Sequence, residues 1–350
     1  MQQELEDIIR LNNKGVSLLP GTASSKGGEE GHSHSHHGSS SSSSNLEALK
    51  CFHIALHAVV ELQSRCAQSH RSTTSTASAC APQDGDFQDD VLDNLSALWH
   101  LAPAAANSSS TSAEEDTYHV FSHAFVLQPE AVLERMKATT TSSTRGRASR
   151  RRQECHQNQR ILLRLVETIL LMNAALACYQ AEVRGTPTCV CHGCLSPTTS
   201  ARQNHKQGAY HCKALALYAR AVQYLNQICN MSRKRVRKTN HKTKVSSSSS
   251  SKTLASSLPP VVVPGPLAFL TVATLNNASW IYLQLGQVEQ AKRTQTELYR
   301  WQQHPERLAA ILSLESTSSP REARFVQEFY LNATMLTVTG YFSGVPAPAA

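Results

Sequence analysis

Apolar and small residues recur at helical spacing on both sides of a glycine in the last third of the chain. In the run LNNASWIYLQLGQVEQA they occupy positions i, i+3, i+4 and i+7, which form one stripe of an α-helix. The stripe consists of Leu275, Ala278, Ser279 and Tyr282. Gly286 follows it, at the place where glycine readily adopts the left-handed conformation that ends a helix. The pattern predicts two antiparallel helices, 267–285 and 288–301, joined by a short turn.

Two earlier parts of the chain repeat this arrangement of small and bulky positions. The copies span 1–66, 153–231 and 266–303, which is about half of the chain. Where one helix carries several of these positions, they are spaced three or four residues apart, as expected on its contact face. They are Gly15, Ala48, Phe52 and Ala55 in the first copy, Ala175, Ala214, Tyr218 and Ala221 in the second, and Tyr282, Gly286 and Ala291 in the third.

This pattern resembles the tetratricopeptide repeat, in which small residues lie where paired helices touch and aromatic residues fill the gaps. The Asn-Asn helix starts, long turns and Ala-rich C-terminus are similar to those of tetratricopeptide-like proteins of diatoms. The resemblance implies an all-α, right-handed tetratricopeptide-like array of about three antiparallel helix pairs. Apolar residues at helical spacing also predict C-terminal capping helices within 304–343.

The first two copies carry a long segment in place of the short turn. Residues 20–45 and 185–208 are predicted to be disordered insertions, because their composition buries too little apolar surface to offset the entropy of ordering. An eightfold longer loop costs about 2 kcal/mol, which the burial of one Leu or Phe, about 1.5–3 kcal/mol, offsets. The helix pairs are therefore expected to tolerate the insertions.

Less regular segments connect the three copies. They are predicted to be a mostly disordered connector at 67–152, with short elements at 90–101 and 118–137, and a disordered basic and Ser-rich linker at 232–265. Periodicity favours short helices at 90–101 and 129–137. It leaves 118–127 undecided between an extended and a helical conformation.

Positive charge is concentrated in these irregular segments, and the formal net charge of the chain is +8. One cluster consists of Arg145, Arg147, Arg150, Arg151 and Arg152, and the other of Arg233, Lys234, Arg235, Arg237, Lys238, Lys242 and Lys244. Such clusters bind nucleic acid or act as nuclear import signals, although they also occur in solvated linkers. No aromatic residues are interleaved with them, so any nucleic-acid contact is expected to be salt-sensitive and independent of sequence.

The sequence favours a cytoplasmic or nuclear location. The N-terminal run MQQELEDIIRLNNK lacks the basic flank and apolar stretch of a secretory signal. The longest apolar stretch, 161–179, is interrupted by Arg164 and Glu167, so it makes a poor bilayer span and no membrane association is expected. The ten cysteines show no small-domain disulfide framework and are expected to be reduced thiols.

A cysteine-rich run provides the sharpest candidate for a metal site. Cys189, Cys191 and Cys194, with His211 downstream, have the ligand types that zinc prefers in a tetrahedral site. Their spacing departs from paired Cys-x-x-Cys knuckles, and the alternative is a reduced, cysteine-rich insertion. We expect no cofactor, and a zinc-stabilised module is the least favoured alternative.

No catalytic motif is present in the sequence. The chain has no Gly-rich phosphate loop, no Gly-x-Ser-x-Gly elbow and no His-Glu-x-x-His run. We interpret Arg164 and Glu167 as a surface or inter-helix ion pair rather than an acid–base device. The chain is therefore not expected to be an enzyme.

The tetratricopeptide resemblance implies peptide binding. In that family the first helices of successive pairs line a concave groove for an extended or helical peptide. The polar residues predicted to contact a partner there are Asn12, Asn13, Asn173, Asn276 and Asn277. The alternative is that some of these asparagines cap or pack the helices. Only Asn173 matches the family's clamp for an acidic C-terminal carboxylate, so that ligand is not expected.

The function predicted from these patterns is that of a non-catalytic protein–protein interaction scaffold or adaptor, with another protein or a peptide as its partner. A nuclear or nucleic-acid-associated factor, acting through the basic clusters, is the alternative.

Overall fold

The computed structural model describes residues 1–19, 40–73, 95–102, 123–141, 148–183, 208–243 and 265–302. The α-helices in these ranges are α1 (Gln2–Leu18), α2 (Ser40–Thr73), α3 (Pro129–Thr141), α4 (Ala148–Val183), α5 (Ala209–Thr243), α6 (Gly265–Gln284) and α7 (Val288–Gln302). A 3₁₀ turn, Leu95–Leu98, leads into β1 (Trp99–Leu101), which pairs with β2 (Phe125–Leu127). The described residues are mostly helical, and the prediction of an all-α chain is confirmed at that level.

The six long helices pack in the order in which they occur in the chain. α1 packs on α2, α4 on α5 and α6 on α7, while α2 also packs on α4 and α5 on α6. In the first pair, Gly15 lies against Phe52, whereas Glu4 bonds to Arg65 near the other end of α2. These contacts run in opposite directions along the two helices, so α1 and α2 are antiparallel.

Small residues lie where paired helices approach closely. A Cβ atom on Gly15 would lie only 2.6 Å from Cε1 of Phe52, so any larger residue would require the ring to move. The other fully buried positions of the sequence pattern are Ala48, Phe52, Ala55, Ala175, Ala214, Tyr218, Ala221 and Ala291. Tyr282 is half-buried. The repeated positions therefore belong to the helix–helix contacts of the core.

The turn between α6 and α7 has the conformation that its glycine predicts. Gly286 has a φ of 70°, in the left-handed region that glycine adopts at no steric cost. Its N–H donates to the carbonyl of Leu283 at 2.9 Å, and the N–H of Gln287 donates to that of Tyr282 at 2.8 Å. These bonds satisfy carbonyl groups at the end of α6 and direct the chain into α7.

Replacement of Gly286 by valine is expected to lower the free energy of unfolding by about 1 kcal/mol or more, because a β-branched residue disfavours the left-handed conformation. A Cβ atom here would meet nothing within 4 Å, so the cost comes from the backbone alone. Denaturant titration measures it. Gly286→Asn is the control, because asparagine tolerates this conformation. A valine variant as stable as the parent would contradict this account of the turn.

α4 is the central helix of the array. It packs against α2, α3, α5 and β2, and every residue in 165–178 is buried. Within the described ranges, Cys155–Val183 is the one helical segment long and apolar enough to cross a membrane. Because 94% of its apolar window is buried inside the protein, this segment has the character of a core helix and makes no clear transmembrane span.

Helices extend into several segments whose composition predicts disorder. The helical residues of these segments include 40–45, 67–73, 148–152 and 232–243. A packed helix extends into its flanks readily, because each added residue gains a hydrogen bond and only nucleation is unfavourable. Arginine and lysine are also good helix formers, which accounts for the continuation of α5 through a basic run.

The predicted helix at 90–101 is wrong where it includes β1. Trp99 is buried and His100 exposed, the alternation of a strand rather than a helix, and pairing with β2 outweighs the local pattern. The helix predicted at 129–137 is present as α3, and the part of 118–127 that forms β2 is extended. The predicted capping helices at 304–343 lie outside the described residues, as does most of both insertions.

Candidate functional site

β2 lies between the first helices of the first two pairs, in contact with α1 and α4. On one edge it pairs with β1, with Trp99 opposite Leu127 and Leu101 opposite Phe125. The flanking bonds run from the N–H of Ala102 to Ala124 at 2.8 Å and from that of Gln128 to Leu98 at 2.9 Å. In an antiparallel ladder with these bonds, the N–H and C=O groups of Phe125 and Leu127 face the other edge.

Asn13 on α1 pairs with this second edge as a neighbouring strand would. Its Nδ2 donates to the carbonyl of Leu127 at 2.8 Å, and its Oδ1 accepts from the N–H of the same residue at 3.0 Å. One side-chain amide therefore satisfies both backbone groups of Leu127, which a buried strand edge requires.

Asn173 on α4 does the same for Phe125. Its Oδ1 accepts from the N–H of Phe125 at 2.8 Å, and its Nδ2 donates to the carbonyl at 2.8 Å. Nδ2 also donates to Oδ1 of Asn12 at 2.8 Å, and Asn12 donates to the Phe125 carbonyl at 3.1 Å. Asn12 and Asn173 are fully buried. The three asparagines thus form an amide clamp on the backbone of β2. The bond between Asn12 and Asn173 also joins α1 to α4, across 161 positions of sequence.

The side chains of β2 anchor the strand in the core. Phe125 and Leu127 are each 1% exposed. The Phe125 ring meets Phe269 of α6 edge-on, with centroids 6.2 Å apart and planes at 71°. Such an edge-to-face pair adds to the burial energy of the two rings. β2 is therefore held through backbone hydrogen bonds at its edges and through the buried side chains of Phe125 and Leu127.

The remaining two predicted groove residues lie elsewhere, on α6. Asn277 donates to the hydroxyl of Tyr218 at 2.9 Å in the α5–α6 contact, and burial raises the pKa of that hydroxyl. Asn276 is also buried. The structure thus unites Asn12, Asn13 and Asn173 but separates them from the α6 pair. Their internal bonds agree with the alternative that some of the asparagines pack the helices.

A second polar centre surrounds Glu167, which is fully buried on α4. Its carboxylate accepts from Arg164 at 2.8 Å, from Arg220 of α5 at 3.0 Å and from Gln63 of α2 at 2.9 Å. The Arg164 guanidinium lies 4.0 Å from the ring centroid of Tyr224, a cation–π distance. Arg164 and Glu167 thus form an ion pair within α4, and the ion pair that joins two helices is that of Glu167 with Arg220.

The candidate zinc ligands are only partly within the described residues. Cys189, Cys191 and Cys194 lie outside them. His211 is half-buried, with its ring centroid 5.7 Å from that of Tyr179; burial lowers its pKa, and the nearby Glu182 carboxylate acts in the opposite direction. The described residues contain no group of three His, Cys, Asp or Glu suited to a metal ion.

Glu182 instead has a structural role at the start of α5. Its carboxylate accepts from the N–H of Gly208 at 2.6 Å and from that of Tyr210 at 3.1 Å. An acidic group at a helix N-terminus satisfies otherwise unpaired N–H groups and interacts favourably with the helix dipole.

The cysteines in the described ranges form no disulfide bonds with one another. Burial raises the pKa of Cys178 to about 12, and it also raises the pKa of Cys51 and Cys66. At neutral pH these groups are protonated, whereas reactive cysteines are thiolates in electropositive surroundings.

Sequence reasoning missed β2 as the ligand of the asparagines, and Gln63 and Arg220 as partners of Glu167. A weak signal was present. Asparagine is an unfavourable residue inside a helix, so its occurrence on an apolar stripe indicates a specific partner. The identity of that partner has no local signature.

No protein-family model, no curated protein and no solved structure matches the chain.

Proposed function

We propose that the protein is a non-catalytic protein–protein interaction scaffold, built as a tetratricopeptide-like array that binds an extended peptide. Three consecutive helix hairpins with small residues at their contacts support the array. The buried Cys178 thiol is protonated at neutral pH, and the Glu167 carboxylate is bonded to other side chains of the protein. Both observations support a non-catalytic role.

The observation that carries the proposal is the amide clamp on β2. Asn13 and Asn173, on the first helices of successive pairs, bind the backbone groups of an extended segment in the manner of a neighbouring strand. In tetratricopeptide proteins a peptide is expected to lie along the first helices of the pairs. In this chain β2 lies against the corresponding helices, α1 and α4. The clamp fixes β2, and β2 in turn fixes β1 by ladder bonds.

β1 then offers an edge on which a partner strand can add. Since His100 pairs with Val126 inside the ladder, the N–H and C=O groups of Trp99 and Leu101 face away from β2. His100 is exposed and Leu101 half-buried, so this edge lies near the surface. Addition of an extended peptide to a sheet edge is an established recognition mode, in which backbone bonds supply affinity.

Leu101→Pro tests this edge, because proline removes the outward N–H of residue 101 and leaves the ladder bonds to β2 in place. Leu101→Ala is the control, since it shortens the side chain but keeps the N–H. Proximity labelling in the native cell, followed by pull-down with the full chain, identifies the partners. Proteins retained by the parent and by Leu101→Ala are expected to be lost from Leu101→Pro, with far-UV circular dichroism unchanged. Equal retention by the proline variant would contradict the proposal.

A further inference from the structure

Two histidines lie on the exposed face of α2, one helical turn apart. His53 and His57 are four positions apart, so their side chains are neighbours, with Cβ atoms about 5–6 Å from each other. The side chain of His57 is 69% exposed, and His53 is also exposed. Among the histidines whose side chains the structure describes, no other two are three or four positions apart on one helix. α2 therefore presents a pair of imidazoles to solvent.

The opposite face of α2 fixes the backbone that carries this pair. Phe52, Ala55 and Val59 are fully buried, and α2 packs on α1 and α4. The helical conformation between the two histidines is therefore present before any ligand binds. Only side-chain rotation is needed to direct both rings at one ion, which lowers the entropic cost of binding.

A carboxylate lies beside the second imidazole. Nδ1 of His57 is 3.5 Å from Oε1 of Glu61, which is one turn further along α2. A carboxylate at one ring nitrogen favours the tautomer that carries its proton there, and it leaves the lone pair of Nε2 for a metal ion. The carboxylate also orients the ring, as in many metal sites of proteins.

The neighbouring cations on α2 are paired with acidic groups. Lys50, nearly one turn before the histidines, pairs with Glu47 at 3.3 Å. Arg65, one turn beyond Glu61, pairs with Glu4 of α1. The local electrostatics therefore do not oppose a cation at the imidazole pair, and the Glu61 carboxylate favours one.

We propose that His53 and His57 form a two-ligand chelate for a borderline divalent transition cation such as Zn²⁺, with Glu61 orienting His57. Imidazole nitrogen is a preferred ligand of such ions, and zinc is bound by helical histidines at positions i and i+4. With Zn–N bonds of about 2.0–2.1 Å and tetrahedral angles, the two ligand nitrogens lie about 3.3 Å apart. The chelate is independent of the β1 edge and of the amide clamp.

The chelate leaves coordination positions for water. In the part of the chain that the structure describes, no third His, Cys, Asp or Glu joins such a group. Ile54 follows His53, where the His-Glu-x-x-His motif of zinc hydrolases has its general base. The pair is therefore expected to bind the ion without hydrolysing a substrate.

Modification of the full chain by diethyl pyrocarbonate at increasing Zn²⁺ concentrations, read by mass spectrometry, tests the chelate. The reagent acylates free imidazole nitrogens, so a bound ion slows the reaction at its own ligands. Each histidine is read separately, so other metal-binding groups of the chain do not obscure the result. His100, also exposed, is the internal reference.

Four variants accompany the parent: His53→Gln, His57→Gln, Glu61→Gln and the matched control Glu47→Gln. The control removes the same charge from the same helix, away from His57. All four side chains are at least partly exposed, so the variants are expected to fold, and circular dichroism verifies this.

Zn²⁺ is expected to protect His53 and His57 over one concentration range and to leave His100 unprotected. In His53→Gln, the zinc concentration that protects His57 is expected to rise about tenfold or more, because a single imidazole lacks the chelate's effective concentration. His57→Gln is expected to have the reciprocal effect on His53. Glu61→Gln is expected to raise the protecting concentration about tenfold, and Glu47→Gln to leave it unchanged.

Three results would overturn the proposal. Protection of His57 at the parent's zinc concentration in His53→Gln would mean that the imidazoles bind separately. Equal protection of His100 would mean that zinc binds exposed imidazoles without selection. An equal effect of Glu47→Gln and Glu61→Gln would mean that the charge of α2, rather than the orientation of His57, sets the affinity.

Discussion

Substitution of Glu167 by glutamine is expected to lower the free energy of unfolding by about 3 kcal/mol. The carboxylate is fully buried and is the shared acceptor of Arg164, Arg220 and Gln63. Glutamine keeps nearly the same shape but carries no charge, so the two guanidinium groups lose their counter-charge. The expected value is at the lower end for a broken buried ion pair because the Arg220 side chain is 50% exposed and water can rehydrate it.

Denaturant titration of the full chain measures this effect against two controls. Glu61→Gln removes a carboxylate whose ion pair with His57 is mostly exposed, and no measurable change is expected. Arg220→Gln is expected to cost less than Glu167→Gln, because Glu167 keeps its bonds to Arg164 and Gln63. If Glu167→Gln proves as harmless as Glu61→Gln, the carboxylate does not join the three helices as described.

Replacement of Asn173 by alanine is expected to cost about 3 kcal/mol and to loosen β2 from the array. The change leaves the N–H of Phe125 and Oδ1 of Asn12 without the amide that bonds them. Each unsatisfied buried group costs about 1–3 kcal/mol. The carbonyl of Phe125 keeps its bond from Asn12, which limits the loss.

Hydrogen exchange locates the effect in the molecule. In Asn173→Ala the amide of Phe125 is expected to exchange faster than in the parent, while the amides of α7, away from the clamp, keep their protection. Asn13→Ala serves as the matched variant. It is expected to accelerate the amide of Leu127 first, with a smaller loss of stability because Asn13 is only half-buried. Unchanged protection of Phe125 in Asn173→Ala would contradict the amide clamp.

Both predictions concern buried polar groups in the largely apolar stretch 161–178 of α4. Glu167 bonds to α2 and α5, whereas Asn173 bonds to α1 and β2 at a different level. A slide of α4 by one turn would leave both buried groups without partners, although the apolar contacts could re-form. The two polar centres therefore set the position of α4 along its neighbours.

Helices were predictable wherever the pattern is local. The stripe before Gly286 and the small positions such as Gly15 and Ala291 depend on residues three or four apart, and the structure places them in turns and helix contacts. The family resemblance and the capping helices at 304–343 remain predictions. The small sheet was not predictable in full, because β1 and β2 are three residues each and are stabilised by pairing across the intervening segment.

The sequence by itself determined that helix pairs form, where a glycine turn joins the last pair, and that basic residues fall into two clusters. Periodicity and glycine conformation act within a few residues, so one chain suffices to infer them. Only the tertiary structure decided what the asparagines bind and which groups surround Glu167. These relations join residues separated by tens to more than a hundred positions, and they depend on helix packing and register, which have no local signal in the sequence.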